Sequence, residues 1–363
     1  MKLFECQGCD QPVYFENTLC GSCGRRLGYI AELADVSALE EEPDGWRALA
    51  APERRWRYCA NAEHGVCNWL VPADEDQRFC VACRHNRTIP DLGPPANLDL
   101  WRRIEIAKHR LVYTILALGL PVAPKTSAGD GGLAFDFLAD PPAPGAPKVM
   151  TGHDDGLITL NLAEADDARR EETRAAMGEP YRTLLGHLRH EVGHYYWDRL
   201  VAADAAVLEE FRAIFGDERQ DYAAALARHY ADGPPADWRD RFVSAYAAAH
   251  PWEDFAETWA HYLHIVDTLE TAGTFGLRVR PRIAVGAELA TRVDFDPHQS
   301  VGIERLVEAW LPLTYAMNSL NRSMGQPDLY PFVLSPTAIA KLGFVDRLVH
   351  RPAAAVAAAP ADG

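Results

Sequence analysis

The chain has 363 residues, enough for two or three domains, and 48% of them are hydrophobic, enough for a sizeable core. Its formal net charge of −16 repels phosphate backbones and anionic lipid surfaces, so nucleic acid and membranes are poor candidates for partners. Residues 1–10 lack the apolar segment of an export signal, and the longest apolar stretch, Leu111 to Val122, is too short to span a bilayer. These features predict a soluble cytoplasmic protein.

All eight cysteines lie within the first 83 residues, in two groups. The first group has the spacing CxxC-x10-CxxC and comprises Cys6, Cys9, Cys20 and Cys23. Each CxxC pair can bind one side of a zinc ion, and two pairs complete a tetrahedron. The spacing therefore predicts a zinc ribbon over residues 1–30. A redox pair or disulfides are the alternative, which a reducing compartment disfavours.

The second group has the looser spacing C-x7-C-x12-CxxC and comprises Cys59, Cys67, Cys80 and Cys83. It predicts a second zinc-ribbon-like module over residues 56–90, in which His64 or His85 could replace one thiolate. The alternative is that some of these cysteines are buried structural thiols. Residues 1–100 contain 10 Lys and Arg against 16 Asp and Glu, a balance of −6 that favours a folding or protein-contact role over nucleic-acid binding.

The segment after the cysteines contains the first long helical pattern. Apolar residues recur at helical spacing over Leu98–Leu118, and Asn97 or Asp99 is a candidate for the N-cap. Farther on, we predict a β-hairpin of Lys148–Thr151 and Leu157–Leu162, with the turn between them at residues 153–156.

The remainder of the chain is predicted to be mostly helical. The pattern becomes helical at Tyr181 and stays so nearly to the end, with a break at the sequence Gly-Pro-Pro of residues 233–235. Residues 351–363 are almost all Ala and Pro and predict a disordered tail.

The sequence HEVGH at residues 190–194 is the strongest catalytic motif in the chain. His190 and His194 are four residues apart, so one face of a helix can present both to a single zinc ion. Glu191 lies beside them, where it can accept a proton from a zinc-bound water. The alternative is an ordinary surface helix with two histidines. His187, one turn earlier, fits a helix-surface histidine better than a ligand.

A catalytic zinc needs a third protein ligand and an open position. The residues after His194 lack the Gly and His of the extended metzincin pattern, so the third ligand is expected to be a carboxylate on a later helix. Glu253 and Glu257 share one helical face, and two buried carboxylates are costly unless a cation meets them. We therefore assign Glu253 as ligand and Glu257 as the acceptor that orients a ligand histidine. Reversed roles, ligation by Asp254 or His261, and a solvated acidic face remain alternatives.

HEVGH followed by EDFAE resembles the gluzincin group of zinc metallopeptidases, and in particular its anthrax lethal factor branch. In that branch the first Glu of an ExFAE-like helix binds zinc and the second supports it, which corresponds to Glu253 and Glu257. A tyrosine seven residues before the ligand corresponds to Tyr246. Nearly the full chain resembles bacterial zinc-binding metallopeptidases with an N-terminal zinc ribbon. The matching segments are the paired cysteine groups, NRTIPDL at 86–92, HEVGHYYWDRL at 190–200, HPWEDFAETWAHYLH at 250–264 and LNRSMGQPDLYPF at 320–332.

Together these features predict an α+β fold: a zincin-like, mostly helical metallopeptidase domain over residues 97–345 with a small sheet, preceded by two zinc-ribbon-like modules. The expected cofactors are one catalytic and up to two structural zinc ions. The expected reaction is hydrolysis of a peptide or protein substrate, with an endopeptidase preferred and Glu191 as general base. The resemblance implies Tyr246 as the second oxyanion donor, with Tyr262, His261 and Tyr330 as alternatives.

Two other functions are compatible with the sequence. The domain could be an inactive scaffold with a zinc-ribbon protein-binding module, although an intact Glu191 argues against that. A nucleic-acid-binding regulator is disfavoured by the charge of the cysteine-rich segment. For the peptidase, Leu157–Leu162 is a candidate edge strand that could pair with an extended peptide.

Overall fold

A computed structural model describes residues 2–141, 143, 145–283 and 289–351. The chain separates into two compact units, one up to Ala176 and one from Met177 onward. Apart from Arg351, the predicted tail of residues 351–363 lies outside the described residues.

The first unit contains most of the strands and the first long helix. Its elements are β1 (Phe4–Glu5), β2 (Pro12–Val13), β3 (Arg26–Ile30), β4 (Asp35–Glu42), β5 (Gly45–Ala48), β6 (Arg55–Tyr58), β7 (Leu70–Pro72), β8 (Asn86–Thr88), α1 (Pro95–Ala117), β9 (Ala134–Leu138), β10 (Gly152–Asp154), β11 (Leu157–Asn161) and α2 (Asp167–Met177), which ends at the boundary.

The cysteine-rich segment is built around one antiparallel sheet with the strand order β3-β4-β5-β6-β7. The chain between the two cysteine groups therefore forms strands of this sheet. Both groups border a shared core in which Tyr29 lies 4.7 Å from Phe15 and 4.5 Å from Trp69, measured between ring centroids. Tyr113 of α1 lies 5.6 Å from Phe15 and belongs to the same core. The two cysteine groups thus share apolar surface with each other and with α1.

The helix predicted over Leu98–Leu118 is confirmed as α1, but its predicted N-cap is wrong. The helix begins at Pro95, because the fixed φ and missing N–H of proline suit the first helical turn. The N-cap position is occupied by Pro94, whose side chain makes no capping hydrogen bond. The side chain of Asn97 instead donates to the carbonyl of Asp91 at 2.7 Å.

The predicted hairpin exists, but its first arm is β10, at Gly152–Asp154, rather than Lys148–Thr151. Its turn is only Asp155-Gly156, both with positive φ, as the tight two-residue hairpin turn requires. The sheet order is β10-β11-β9-β8, with β11 parallel to β9. The prediction that Leu157–Leu162 is an edge strand is therefore wrong, because β11 is paired on both sides.

The second unit is mostly helical. Its elements are α3 (Leu184–Trp197), α4 (Ala205–Phe215), α5 (Tyr222–Asp232), α6 (Trp238–Arg241), α7 (Pro251–Thr274), β12 (Arg278–Val279), β13 (Thr291–Arg292), α8 (Ile303–Ser323) and α9 (Pro336–Val349). None of the helices in the described ranges combines the length and apolarity needed to cross a membrane.

Helices α3 and α7 approach each other closely at Gly193. A Cβ atom added there would lie 3.0 Å from Cα of Ala256 and 3.3 Å from Cβ of Trp259. Few real Cβ contacts are that short, so glycine lets the two helix backbones come together at this point. Helix α7 is also tied to α9, because Lys341 donates to the buried carboxylate of Asp254 at 2.6 Å. These contacts fix the position of α7 relative to α3 and α9.

Candidate metal centre

Helix α3 presents the HEVGH motif to the interior of the second unit. The hydroxyl of Thr183 caps the helix by accepting from the backbone N–H of Gly186 at 3.0 Å. His190, Glu191 and His194 are all buried. The alternative of a surface helix with two histidines is therefore wrong.

Helix α7 supplies the carboxylates. It begins at Pro251, with His250 as its N-cap and the Nδ1 atom of that side chain accepting from the N–H of Trp252. Glu253 lies in the first turn and is only 1% exposed, and Glu257 is partly buried. A solvated acidic face is thus contradicted. The positive end of the helix dipole helps to hold a carboxylate in the first turn.

Three potential ligand atoms converge between the two helices. Nε2 of His190 lies 3.2 Å from Nε2 of His194 and 3.0 Å from Oε2 of Glu253, and Nε2 of His194 lies 3.7 Å from Oε1 of Glu253. Among the described residues these three form one of the clusters able to hold a metal ion. Two imidazole nitrogens and a carboxylate fit zinc, and three protein ligands leave a position open. The structure thus brings together the three ligands predicted from the sequence.

Glu257 contacts the side of His190 that faces away from the other ligands. Its Oε1 atom lies 2.7 Å from Nδ1 of His190, and its Oε2 atom accepts from Ser244 Oγ at 2.6 Å. A carboxylate at Nδ1 fixes the imidazole orientation and leaves Nε2 for a metal. The geometry matches the orienting role assigned to Glu257. Ser244 had no sequence signal.

The two carboxylates make this point strongly attractive to a cation. Burial alone would lower the pKa of His190, but Glu253 and Glu257 raise it well above its ordinary value. Burial alone would raise the pKa of Glu253, but the imidazole of His190 and the charges of His190 and His194 lower it to about 2. Glu253 is therefore ionised at neutral pH, as a metal ligand must be.

Glu191 is held by the histidine one turn before the motif. Nε2 of His187 lies 3.1 Å from Oε1 of Glu191. Burial alone would raise the pKa of Glu191. The hydrogen bond from His187 and the charge of His187 outweigh burial, so the pKa of Glu191 lies below its ordinary value. His187 is thus not the plain surface histidine that we expected, because it binds the carboxylate that the sequence assigns as general base.

Two tyrosines border the ligand cluster. The ring of Tyr246 lies 5.9 Å from that of His190, between centroids. The hydroxyl of Tyr222, at the start of α5, donates to Oε1 of Glu253 at 2.5 Å. Burial, followed by the charge of Glu253, raises the pKa of each tyrosine above its ordinary value, so both keep their protons. Sequence analysis missed Tyr222, which is 31 residues from Glu253 and follows no spacing rule.

The alternative ligands and oxyanion donors are engaged elsewhere. Asp254 is paired with Lys341, and the hydroxyl of Tyr262 donates to Asp346 at 2.8 Å. Nδ1 of His261 lies 2.7 Å from the hydroxyl of Tyr330. Among the described residues, the metal-binding cluster on α3 and α7 includes none of these side chains.

Both cysteine groups form compact clusters. The closest sulfur pairs include Cys6 and Cys23 at 3.6 Å, Cys9 and Cys20 at 3.6 Å, and Cys67 and Cys80 at 3.8 Å. Zn–S bonds of about 2.3 Å place tetrahedral sulfurs about 3.8 Å apart, so both groups fit zinc. All eight cysteines are free, which contradicts the disulfide alternative.

The histidine that groups with a cysteine of the second cluster is His109, not His64 or His85 as predicted. Nδ1 of His85 lies 3.0 Å from the carbonyl oxygen of Leu133, and burial lowers its pKa to about 4. Nε2 of His64 lies 3.3 Å from Oε1 of Glu63. In the described part of the chain, the clusters able to hold a metal instead include His109 of α1. Its sequence signal was a histidine within the predicted helix.

A buried His-Glu-His cluster together with two four-cysteine clusters is typical of zinc metalloproteins. Residues 97–348 match a family model described as "Putative zinc-binding metallo-peptidase", and residues 3–94 match a zinc-ribbon domain model. Because the first match covers more than half of the chain, the chain belongs to this metallopeptidase family. The predicted resemblance and the predicted fold class are confirmed.

Similar proteins occur in mycobacteria. An uncharacterized protein of Mycobacterium bovis is 41% identical over 353 residues, which cover 97% of this chain and 96% of that protein. Uncharacterized proteins of two Mycobacterium tuberculosis strains match with the same identity and coverage. No solved structure matches the chain.

Proposed function

We propose that this chain is a gluzincin-type zinc peptidase that hydrolyses peptide bonds, with His190, His194 and Glu253 as the zinc ligands. The observation that carries the proposal is the convergence of these three buried side chains, with Glu191 on the same helix as the two histidines. Two imidazoles and a carboxylate are the ligand types that zinc takes in proteins, and the convergence of their ligand atoms favours a metal site over a packing cluster.

The residues divide the chemistry between them. Bound zinc would supply Lewis acidity that makes a water molecule acidic enough to deprotonate near neutral pH. Glu191, ionised because of its low pKa and held by His187, accepts the proton of the attacking water. Its carboxylate then returns that proton to the leaving amine nitrogen.

Tyr246 and Tyr222 take different roles in this proposal. Tyr246 keeps its hydroxyl proton and its ring lies 5.9 Å from that of the ligand His190, so it is the candidate donor to the oxyanion. The Tyr222 hydroxyl is bonded to Glu253, so Tyr222 acts as a positioning residue for that ligand.

We further propose a peptide or protein substrate, cleavage as an endopeptidase, and a cytoplasmic location, where free thiols in metal-binding clusters persist. The charge of −16 supports a role without nucleic-acid or membrane partners.

We propose one catalytic and two structural zinc ions, with zinc-ribbon modules over residues 1–30 and 56–90 and a peptidase domain over 97–345.

The test is hydrolysis of a peptide library by the wild-type protein and by Glu191→Gln, with zinc measured in each sample. We expect Glu191→Gln to keep its zinc and to lose at least about 100-fold in rate, because general-base catalysis contributes that much. Glu209→Gln, an exposed glutamate on α4, is the matched control and should remain active.

Full activity of Glu191→Gln would exclude the general-base assignment. A zinc-loaded wild-type protein that cleaves neither the library nor unfolded proteins would instead support the inactive scaffold with a zinc-ribbon binding module.

A further inference from the structure

Helix α1 contacts the second cysteine cluster through His109. This histidine is 4% exposed, and its Nε2 atom lies 3.3 Å from Sγ of Cys67 and 3.6 Å from Sγ of Cys83. The ring also packs against Trp69, with 5.2 Å between centroids. Nε2 of His109 thus faces two of the sulfurs from a helix outside the cysteine-rich segment.

The other ring nitrogen of His109 has a fixed role. Nδ1 lies 2.6 Å from the carbonyl oxygen of Glu105, one turn earlier in α1. A carbonyl only accepts, so Nδ1 carries a proton and the ring is held at both ends. Zinc-bound thiolates are also acceptors, so the contacts of both ring nitrogens are satisfied together by the imidazolium form, in which Nε2 donates an N–H···S hydrogen bond.

The residues next to His109 place a buried ion pair behind the cluster. Lys108 and Glu105 are fully buried, and Nζ of Lys108 lies 2.8 Å from Oε2 of Glu105. The indole N–H of Trp101 and the amide of Asn86 also donate to Oε1 of Glu105, at 3.0 and 2.6 Å. Four thiolates and one Zn²⁺ carry a net charge of −2. Oε2 of Glu105 lies 3.8 Å from Sγ of Cys83, so Lys108 neutralises a carboxylate that would otherwise add negative charge beside the cluster.

The four cysteines form a complete ligand set by themselves. Their ligand atoms all lie within 4.8 Å of one another, and His109 is grouped with Cys83 and Glu105 instead. Four thiolates complete a structural zinc site without it. His109 is therefore positioned to contact the ligands rather than the metal.

We propose that His109 is a hydrogen-bonding residue of the second zinc centre, which binds the sulfurs of Cys67 and Cys83 and couples zinc binding there to helix α1. The cysteines lie in the zinc-ribbon match and α1 lies in the metallopeptidase match, so the zinc ion also stabilises the start of the metallopeptidase segment. This inference is independent of the proposed hydrolysis.

The test is cadmium-113 NMR of the cadmium-substituted full chain, with metal affinity measured by chelator competition. His109→Phe keeps a ring against Trp69 and removes the donor, whereas His109→Gln keeps an N–H donor. His64→Gln, on the same segment but outside the metal clusters, is the matched control. Circular dichroism verifies that each variant is folded.

We expect the wild type to give two all-sulfur resonances. His109→Phe should shift one of them and weaken that site roughly 10- to 100-fold, as loss of an outer hydrogen bond does. His109→Gln should retain most of the affinity, and His64→Gln should match the wild type. Amide exchange across α1 should accelerate when the metal is removed.

Three results would overturn the proposal. A three-sulfur, one-nitrogen resonance in the wild type, lost in His109→Phe, would make His109 a ligand. Better metal retention by His109→Phe than by His109→Gln would leave it only a packing role. Unchanged exchange in α1 on metal removal would exclude the coupling.

Discussion

The hydroxyl of Tyr222 donates a hydrogen bond of 2.5 Å to Oε1 of Glu253, the carboxylate of the candidate metal centre. Glu253 is thereby held from two directions, because its other oxygen lies 3.0 Å from Nε2 of His190. A ligand with one preferred position binds metal with less loss of side-chain freedom. This contact connects α5 to the metal centre on α3 and α7.

Tyr222→Phe should weaken zinc binding at the centre by roughly 10- to 100-fold, because it removes the hydrogen bond while keeping the ring. Tyr230→Phe, at a tyrosine that is 61% exposed, is the control and should bind as the wild type does. Chelator competition measures both. Unchanged affinity in Tyr222→Phe would show that the bond does not position Glu253.

Glu253→Ala and Glu257→Ala should differ in severity. The first removes a direct ligand and should abolish zinc binding at this centre, whereas the second removes the acceptor at Nδ1 of His190 and should cost roughly 10- to 100-fold in affinity. Isothermal titration with zinc distinguishes them. The opposite order would exchange the two assignments.

Gly193→Val should separate α3 from α7, since even a Cβ atom would lie 3.0 Å from Cα of Ala256. Overpacking of this kind typically costs about 1–3 kcal/mol, and the shift should also lower zinc affinity. Gly152→Ala, where an added Cβ meets nothing within 4 Å, is the control for thermal unfolding. A Gly193→Val protein with normal stability and zinc affinity would contradict the close approach.

Lys341→Met should destabilise the protein by about 3–5 kcal/mol, because it leaves the buried carboxylate of Asp254 without its partner. Burial already raises the pKa of Asp254, to about 7. Arg347→Met breaks the exposed pair with Glu210 and should cost less than about 1 kcal/mol. Urea unfolding compares the two variants, and equal losses would argue against a special role for the buried pair.

The parts of the site that follow local spacing were predictable from the sequence. His190 and His194 share a helical face because they are four residues apart, and the same rule placed Glu253 and Glu257 together. The cysteine spacing likewise predicted both clusters. These patterns depend on geometry within one helix or one turn.

The remaining contacts depend on how distant elements pack, which spacing cannot encode. Tyr222 and Ser244 reach the site from segments that precede α7, and His109 reaches the cysteines from the helix that follows them. A detectable sign was the polar triplet of Glu105, Lys108 and His109 on an otherwise apolar helix face. The edge-strand prediction was wrong because the parallel partner β9 is not visible from a hairpin pattern.

A metal at the HEVGH helix is tested most directly by the zinc content per chain, measured by elemental analysis in the purified wild type and in His190→Ala. We predict about three zinc ions in the wild type and about two in the variant, since we propose one ion at the centre on α3 and α7 and one at each cysteine cluster. About two ions in both proteins, with no further binding when zinc is added, would contradict a metal at the HEVGH helix.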